Sequence, residues 1–329
     1  MTEIRFDILG IGNAMVDVTT RVEDSFLSRH DMHKGAMILV DAPAAETLYA
    51  AMPPGIESSG GSAGNTCAVA AVLGARVAYL GKVADDQLGD VFAHDIRTLG
   101  VHFPSARLIG GAPTARCLIC VTPDGQRTMN TYLGACVTFG EADVDEKLVA
   151  AASVTYLEGY LFDPPAAQAA FRRAAAAAHR AGRQVALSLS DAFCVDRHRE
   201  AFRDLVSGHV DILFANETEI TSLYEKNSFE EAAEAARADV VLAALTRSEA
   251  GSVILRGSET IEIAAEPAEV VDTTGAGDAY AAGFLAGWTS GRPLPACGRM
   301  GSLAAAEVIG HYGARPEADL REIVTRALR

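Results

Sequence analysis

The sequence predicts an α/β fold with a mostly parallel central sheet and helices on both of its faces. Apolar strand-like runs alternate with helix-like segments over most of the chain. The 329 residues are 49% hydrophobic, which allows a sizeable core. Two hairpin-like pieces, near 14–40 and 105–134, break the alternation. We therefore expect a single domain over residues 1–329, with a small β-rich lid formed by these two pieces.

The first half of the chain contains the irregular pieces. An apolar strand, FDILG, runs into Gly and Asn, and GNTCAVAAVL (64–73) has the composition of a helix that stops at Gly74. A strand, ARVAYLGKV, and an amphipathic helix ended by Gly100 follow. TARCLICVT and QRTMNTYL then alternate in polarity around PDG, which predicts a hairpin.

The second half is more regular. Strands are predicted in VTYLEGYL, VALSLS, VDILFA, VVLAALT, SVILRG and ETIEIAA, and a short one in EVV (269–271). Helices are predicted at 164–181, in ETEITSLYEK, at 276–290, at 296–310 and in the last dozen residues.

Charge and cysteine content exclude several classes of protein. A net charge of −15 disfavours non-specific binding to nucleic acid or to anionic membranes. The longest apolar runs are too short for a membrane span, and the N-terminus lacks the order of a signal peptide. Six scattered cysteines indicate a reducing compartment, so we expect a cytoplasmic protein. Cys117 and Cys120 form a CxxC inside a strand-like run, which favours buried thiols over a zinc site.

The stretch VVDTTGAGDAYAAGFLAG (270–287) combines a glycine-rich turn with the start of a helix. Such a turn converges backbone N–H groups, and the helix dipole favours an anion there. It lacks the Lys of a Walker loop. Asp278 would repel a resting phosphate, but it could accept a proton from a hydroxyl that attacks one. The dipole should keep Asp278 ionised near neutral pH; the simpler alternative is that Asp278 only caps the helix.

Three motifs in the expected order resemble those of the ribokinase/PfkB carbohydrate kinase superfamily. They are SGGSAGNTCAVAAVLGARVAYLGKVADDQLG (59–89), NETE (216–219) and DTTGAGDAYAAGF (272–284). GNAMVD, LSLSDAF, VDILFANETE and AAAEVIGHYGARPE resemble segments of its adenosine kinase branch. The resemblance implies a ribokinase-like three-layer αβα sandwich with a lid. It also implies an ATP- and Mg²⁺-dependent kinase for the 5′-hydroxyl of a ribonucleoside, most similar to adenosine kinases.

The resemblance assigns a role to each motif residue. Asp278 is the general base, and the amides of Gly275, Ala276 and Gly277 form an anion hole. The residues implied in substrate binding are Asn13, Asp17, Gly61, Ser62 and Asn65, with Gly60 and Gly61 as a hinge. The residues implied in nucleotide binding are Asn216, Thr246, Arg247, Gly251, Thr274 and His311. Glu219 and Asn216 would organise Mg²⁺ through water, although the same pair also fits a helix capping box.

The side chains that would contact a base are less well defined. Tyr160 and Phe162 stand at the position where relatives stack the purine, and Tyr132 and Met37 are further candidates. Arg127 is a candidate for contacting phosphate or substrate. Thr273 could do the same, or bond its own turn.

Three alternatives stay open at this point. A sugar kinase of the same superfamily would differ only in the pocket beyond the ring. A protein that binds nucleotide without turnover would keep the fold. A nicotinamide oxidoreductase is suggested only by Gly10 and Gly12, and Met15 stands where the third glycine should be. The resemblance leaves open a dependence on K⁺ and the choice between a monomer and a homodimer.

Overall fold

The structure, a computed structural model, describes residues 2–329, so Met1 of the predicted domain lies outside the described residues. Its strands are β1 Phe6–Ile11, β2 Met15–Arg21, β3 Met37–Leu39, β4 Ile56–Gly60, β5 Val77–Leu80, β6 Ala115–Val121, β7 Arg127–Tyr132, β8 Ala152–Glu158, β9 Gln184–Ser188, β10 Ile212–Asn216, β11 Leu242–Thr246, β12 Ser252–Arg256 and β13 Glu259–Ile263. Its helices are α1 Asp24–Arg29, α2 Ala42–Ala51, α3 Ser62–Val72, α4 Gln87–Thr98, α5 Glu146–Ala150, α6 Pro165–Arg180, α7 Ala192–His209, α8 Glu217–Tyr224, α9 Phe229–Asp239, α10 Ala276–Thr289, α11 Leu294–Val308 and α12 Leu320–Ala327.

The central sheet has eight strands in the order β13-β12-β11-β10-β9-β8-β1-β5. Its six strands from β11 to β5 pair in parallel, whereas β12 and β13 pair antiparallel at one edge. The parallel strands alternate with helices along the chain, which is the arrangement that helical crossovers require. The predicted mostly parallel α/β fold is confirmed.

Two cores lie on the two faces of this sheet, as the alternation of side chains along a strand dictates. On β1, Ile8 belongs to one core, and Leu9 and Ile11 belong to the other. On β8, Tyr156 and Leu157 divide in the same way. Helices cover both faces, so the strands are apolar almost throughout and the domain has three layers.

A second sheet of five strands has the order β3-β7-β6-β2-β4. The predicted hairpin around PDG is confirmed, because β6 and β7 pair antiparallel. The piece near 14–40 is not a hairpin: β2 pairs with β4 and β6, and α1 separates it from β3. Strand β4 lies outside the two predicted pieces and joins the second sheet by pairing antiparallel with β2, and helix α2 packs against β6 and β7.

Several local predictions differ from the structure. Residues Gly159–Phe162 form a 3₁₀ turn rather than the end of a strand. The predicted strand at 269–271 is absent: Val270 is 62% exposed, and no sheet edge is paired with it. Helices α7 and α9 were not anticipated. The six cysteines are buried free thiols, as expected for Cys117 and Cys120 on β6. Over residues 2–329, no helix is long and apolar enough to cross a bilayer.

Candidate active site

A cavity of 1810 Å³ lies where the second sheet faces the carboxyl ends of the central strands. The second sheet contributes residues of β2, β6 and β7 to its wall. The central sheet contributes Glu158, Ser188, Asn216 and Thr246, each the last residue of its strand. Because parallel strands end at the same edge, polar side chains from four strands converge there.

Asp278 lies at this convergence, in the first turn of α10. Its Oδ1 accepts a hydrogen bond from Ser62 Oγ at 2.6 Å, and its Oδ2 accepts one from Asn65 Nδ2 at 3.4 Å. Both donors belong to α3, and α10 has no side-chain cap bond. The alternative that Asp278 only caps its own helix therefore does not describe this carboxylate.

The pKa of Asp278 agrees with the expected ionisation near neutral pH, although burial shifts it upward. Burial raises it to about 6, and the hydrogen bonds from Ser62 and Asn65 and the charge of Arg315 lower it only in part. Desolvation therefore exceeds the dipole effect that the sequence suggested. The group is still mainly ionised at pH 7, and a pKa close to the working pH suits a general base.

The glycine turn before α10 is open to the cavity. Gly275 has φ +78°, and a Cβ there would meet Ala314 Cβ at 2.5 Å. A Cβ on Gly277 would meet no heavy atom within 4 Å. Ala276 N–H already donates to Thr273 O at 3.2 Å, so this amide is partly occupied by the turn. Thr274 lines the cavity, and its hydroxyl donates to Asp272 Oδ1 at 2.7 Å.

The predicted substrate-binding residues Asn13 and Asp17 also line the cavity. Asp17 lines the cavity from β2, and its carboxylate packs against Gly60, where a Cβ would come within 2.4 Å of it. Burial raises the pKa of Asp17 to about 6, against the charges of Arg315 and Arg127. Glu158 Oε1 accepts a hydrogen bond from the side-chain amide of Asn13, Nδ2, at 2.7 Å.

Gly61 joins β4 to α3 in a conformation that favours glycine. Its φ is +86°, and a Cβ would lie 2.0 Å from Asn13 O. Ser62 and Asn65 follow on α3 and line the cavity together with Gly61. The glycine thus allows the segment that carries both partners of Asp278 to lie directly against Asn13.

Asn216 and Glu219 form a closed capping box at the start of α8. Asn216 Oδ1 accepts from Glu219 N at 2.8 Å, and Glu219 Oε2 accepts from Asn216 N at 2.9 Å. Burial raises the pKa of Glu219 to about 7. Among residues 2–329, no group of three or more His, Cys, Asp or Glu is arranged to hold a metal ion. The pair still offers oxygen ligands to the cavity, which fits an Mg²⁺ ion that keeps waters and phosphate ligands.

Two of the predicted nucleotide contacts do not face the cavity. Thr246 and Gly251 line it, but Arg247 stacks on Phe229 with its guanidinium carbon 4.2 Å from the ring centroid. Arg247 also pairs with Glu217 at 3.5 Å, so acidic and aromatic neighbours hold it outside. His311 turns its Nε2 toward Glu307 Oε2 at 3.3 Å and is likewise not part of the lining.

The aromatic predictions are corrected in part. Tyr160 lines the cavity and is 38% exposed. Phe162 is fully buried, with ring centroids 4.4 Å from Phe202 and 5.7 Å from Phe171, so it is not a candidate for stacking on a base. Because Gly159–Phe162 form a 3₁₀ turn, the side chain of Tyr160 faces the cavity and that of Phe162 faces the core. Of the further candidates, Met37 lines the cavity and Tyr132 does not.

Three cavity residues were not singled out from the sequence. Phe193, 74% exposed at the start of α7, lies in the quoted LSLSDAF segment. Glu158 is a buried carboxylate at the end of an apolar strand, and this pattern alone could have marked it. Its Oε2 accepts from Ala63 N at 2.7 Å, and burial raises its pKa to about 7. Arg315 lies in the quoted GARPE segment.

Arg127, a candidate for contacting a ligand, lines the cavity and also joins the second sheet to the turn before α10. Its guanidinium lies 2.5 Å from Asp272 Oδ2, and each side chain is 9% exposed. Asp272 also accepts from Gly313 N at 3.2 Å and from Thr274 N at 3.0 Å. One carboxylate therefore connects the hairpin of the second sheet to the turn that precedes α10.

Known proteins resemble this chain over nearly its whole length. A solved adenosine kinase from Sinorhizobium meliloti is 55% identical, with a TM-score of 0.90 over 98% of this chain and 99% of that one. A probable sugar kinase protein from Rhizobium etli CFN 42 is 53% identical, with the same TM-score and coverage. A cytidine kinase from Thermococcus kodakarensis is 28% identical over 263 residues, covering 77% of this chain and 88% of the relative.

The family model described as pfkB family carbohydrate kinase matches residues 55–320. This match includes the glycine turn, Asp278 and the capping box described above. The chain therefore belongs to the pfkB family of carbohydrate kinases, and it is a phosphotransferase that acts on a hydroxyl group of a ribonucleoside or sugar.

Proposed function

We propose that this enzyme transfers the γ-phosphoryl group of ATP to the 5′-hydroxyl of adenosine, forming AMP. One observation carries the chemical part of the proposal. The Asp278 carboxylate is held by Ser62 and Asn65 inside the cavity, next to an uncapped helix start with an open glycine turn. A base beside an anion hole is what an alcohol that attacks a phosphoryl group requires.

Asp278 takes the proton of the acceptor hydroxyl as that oxygen attacks. Its Oδ1 already accepts one hydrogen bond from Ser62, which leaves the longer bond at Oδ2 as the weaker contact. A substrate hydroxyl joins that contact at Oδ2. The bond from Ser62 keeps the carboxylate oriented throughout.

The glycine turn stabilises the charge on the transferring group. The amide of Gly277 has open space beside it, whereas the N–H of Ala276 also donates to Thr273 O. Asn216 and Glu219 are the residues that would hold Mg²⁺. They would do so through water, because their side chains already bond to each other's backbone N–H groups in the capping box. Bound there, the ion would neutralise phosphate charge.

The opposite half of the cavity accommodates a nucleoside. Asp17 accepts hydrogen bonds from a vicinal diol, and the adjacent second sheet closes over the ring about the Gly60–Gly61 hinge. Tyr160 and Phe193 are exposed aromatic side chains that line the cavity from the main body, and Met37 lines it from the second sheet. Stacking surfaces of this size support a base rather than a free sugar. The similarity to a solved adenosine kinase supports adenosine among the bases.

The compartment we propose is the cytoplasm. It is supported by the state of the six cysteines, all buried as free thiols.

The test is Mg²⁺-dependent release of ADP from ATP with adenosine, guanosine, inosine, cytidine, ribose or fructose as acceptor. Turnover with adenosine and little with the free sugars supports the proposal. Turnover only with cytidine or only with a sugar overturns the adenosine assignment and leaves the family chemistry in place.

The role of the base is tested separately with Asp278→Asn. We expect kcat to fall by roughly 10² or more, while nucleotide binding is retained. Asp90→Asn is the matched control, since Asp90 also lies in the first turn of a helix but pairs with Arg107 away from the cavity. An Asp278→Asn enzyme as active as this control would eliminate the mechanism.

A further inference from the structure

Arg315 brings a charged side chain into the active site from a distant part of the chain. It lies in the loop between α11 and α12 and lines the cavity. Its Nε donates to Asn65 Oδ1 at 3.0 Å. One of its terminal nitrogens donates to the carbonyl of Ser59 and, at 3.1 Å, to Ser59 Oγ.

The bond to Asn65 determines which way that amide points. A side-chain amide has one acceptor end and one donor end. Arg315 takes the acceptor end, so the donor end, Nδ2, faces Asp278 Oδ2 at 3.4 Å. The opposite orientation would place Asn65 Oδ1 against a carboxylate oxygen and an N–H group against a guanidinium, and both contacts would be repulsive.

The bonds to Ser59 fix the guanidinium itself. Ser59 N and Oγ donate to Asp95 Oδ2 at 2.8 and 2.6 Å. Ser59, which immediately precedes the Gly60–Gly61 pair, therefore links Arg315 to Asp95 of α4. A planar guanidinium suits this task, because it can donate in two fixed directions at once.

Resting on the proposed role of Asp278 as base, we propose that Arg315 is a positioning residue for the reaction. It orients Asn65 toward Asp278 and keeps a positive charge beside that carboxylate. It makes no contact with the phosphoryl group in this scheme. The row Arg315–Asn65–Asp278 thus links the C-terminal loop, α3 and α10 into one catalytic unit.

The charge has a measurable consequence. Arg315 favours the ionised form of Asp278, so its removal raises the pKa of the base. Other titratable groups interact by charge with Asp278 from the surrounding elements; they are Asp17, Tyr156, Glu158, Tyr160 and Glu219. Arg315 also lowers the pKa of Asp17, so its removal raises the pKa of both carboxyl groups in the same direction. A shift between wild type and variant therefore reports the removed cation.

The experiment compares Arg315→Gln and Arg315→Lys in the full-length enzyme, with kcat/KM measured from pH 5 to 9. For Arg315→Gln we expect the pKa that limits kcat/KM on the acidic side of the profile to rise by about one unit from its value of about 6, so that kcat/KM falls about threefold at pH 6.5 and about tenfold at pH 5. Much of this loss should be recovered at high pH. Arg315→Lys should leave the pKa on the acidic side of the profile unchanged, because it retains the positive charge. It should lower kcat/KM at every pH, because an ammonium group cannot reproduce the guanidinium bonds to both Asn65 and Ser59.

Arg321→Gln is the matched control. This substitution removes the same charge from the same C-terminal region. The Arg321 side chain donates to the carbonyl of Val72 and bonds neither Ser59 nor Asn65. It should leave the pH profile unchanged. In an Asn65→Ala background, Arg315→Gln should cost less than it does alone, because the shared intermediary is already absent.

The outcomes separate this inference from the proposed function. If the wild-type enzyme is active and Asp278→Asn is not, but Arg315→Gln lowers only thermal stability with an unmoved acidic limb, the positioning role is wrong. Full additivity with Asn65→Ala would also contradict it. If no panel acceptor is phosphorylated by the wild-type enzyme, the proposed function fails before the Arg315 variants are made.

Discussion

At the scale of single residues, the chemistry depends on competition between burial and charge at Asp278. The start of a helix should lower the pKa of an acid, yet burial raises this one to about 6. The dipole acts on every first-turn acid, whereas the low-dielectric surroundings are particular to this cavity. The second effect exceeds the first, so the pKa lies above the ordinary value for Asp but still below neutral pH.

The pH dependence follows from the sign of this shift. The reaction needs ionised Asp278, so kcat/KM should fall about tenfold per unit as pH drops below about 6. Initial rates with saturating Mg²⁺ at constant ionic strength would measure the profile. A rate that is flat down to pH 4.5 would show that this carboxylate is not the titrating base.

The glycines of the turn separate a binding role from a folding role. Gly277→Ala places its Cβ in open space and improves a helix position, so the fold should be as stable as wild type or slightly more so. The methyl group would, however, occupy the space in front of the anion hole, so ATP affinity should drop by about tenfold or more. Thermal unfolding and nucleotide titration measure the two quantities.

Gly275→Ala is the contrasting variant. It forces an alanine to φ +78° and its Cβ to within 2.5 Å of Ala314, so it should lower the melting temperature. If Gly277→Ala destabilised the protein as much as Gly275→Ala, the loss of binding could not be assigned to the anion hole.

At the scale of elements, Glu158 ties three of them together. It ends β8, it accepts two bonds from Asn13 after β1, and it accepts one from Ala63 at the start of α3. Gly12 allows this approach, since a Cβ there would lie 2.3 Å from Glu158 Oε2. The carboxylate thus sets the position of α3, which carries both partners of Asp278.

Glu158→Gln should disturb this junction, because an amide NH₂ replaces one accepting oxygen among three donors. A buried mismatch of this kind costs about 1–3 kcal/mol of unfolding free energy. The KM for the acceptor should rise several-fold, since Asn13 and α3 both shift. Denaturant unfolding and steady-state kinetics test this, with Gly64→Ala on α3 as a control whose Cβ meets nothing within 4 Å.

An unchanged KM together with the lower stability would limit Glu158 to a structural role. An unchanged stability would mean that the three bonds are not satisfied together in solution.

At the scale of the whole molecule, the Arg127–Asp272 pair connects the second sheet to the main body. Both side chains are almost fully buried, so removal of one leaves the other charged and unpaired. The turn of the same hairpin also packs closely on Tyr312, whose hydroxyl occupies the position of a Cβ on Gly125. These two contacts hold the hairpin end of the second sheet against the main body.

Arg127→Gln should loosen the second sheet without unfolding the central one. Hydrogen exchange should accelerate in β6 and β7, while β8 to β10 keep the protection of wild type. Lys34→Gln is the control, because it removes an exposed cation from the same sheet region, where Lys34 pairs with Asp24 and Asp124. Equal exchange in Arg127→Gln and in this control would show that the ion pair does not hold the sheet.

The sequence by itself determined the parallel α/β class, the PDG hairpin, the buried thiols and the motif residues around Asp278. These follow from local patterns: the alternation of apolar segments, turn residues and glycines that only one backbone geometry requires.

Tertiary structure alone decided the rest. It buried Phe162 and exposed Phe193, turned Arg247 toward Phe229, and gave Asp278 its raised pKa. It also brought Arg315 to Asn65 across 250 positions of sequence. Direction, burial and charge at these side chains depend on neighbours that are distant in the chain, so no local pattern contains them.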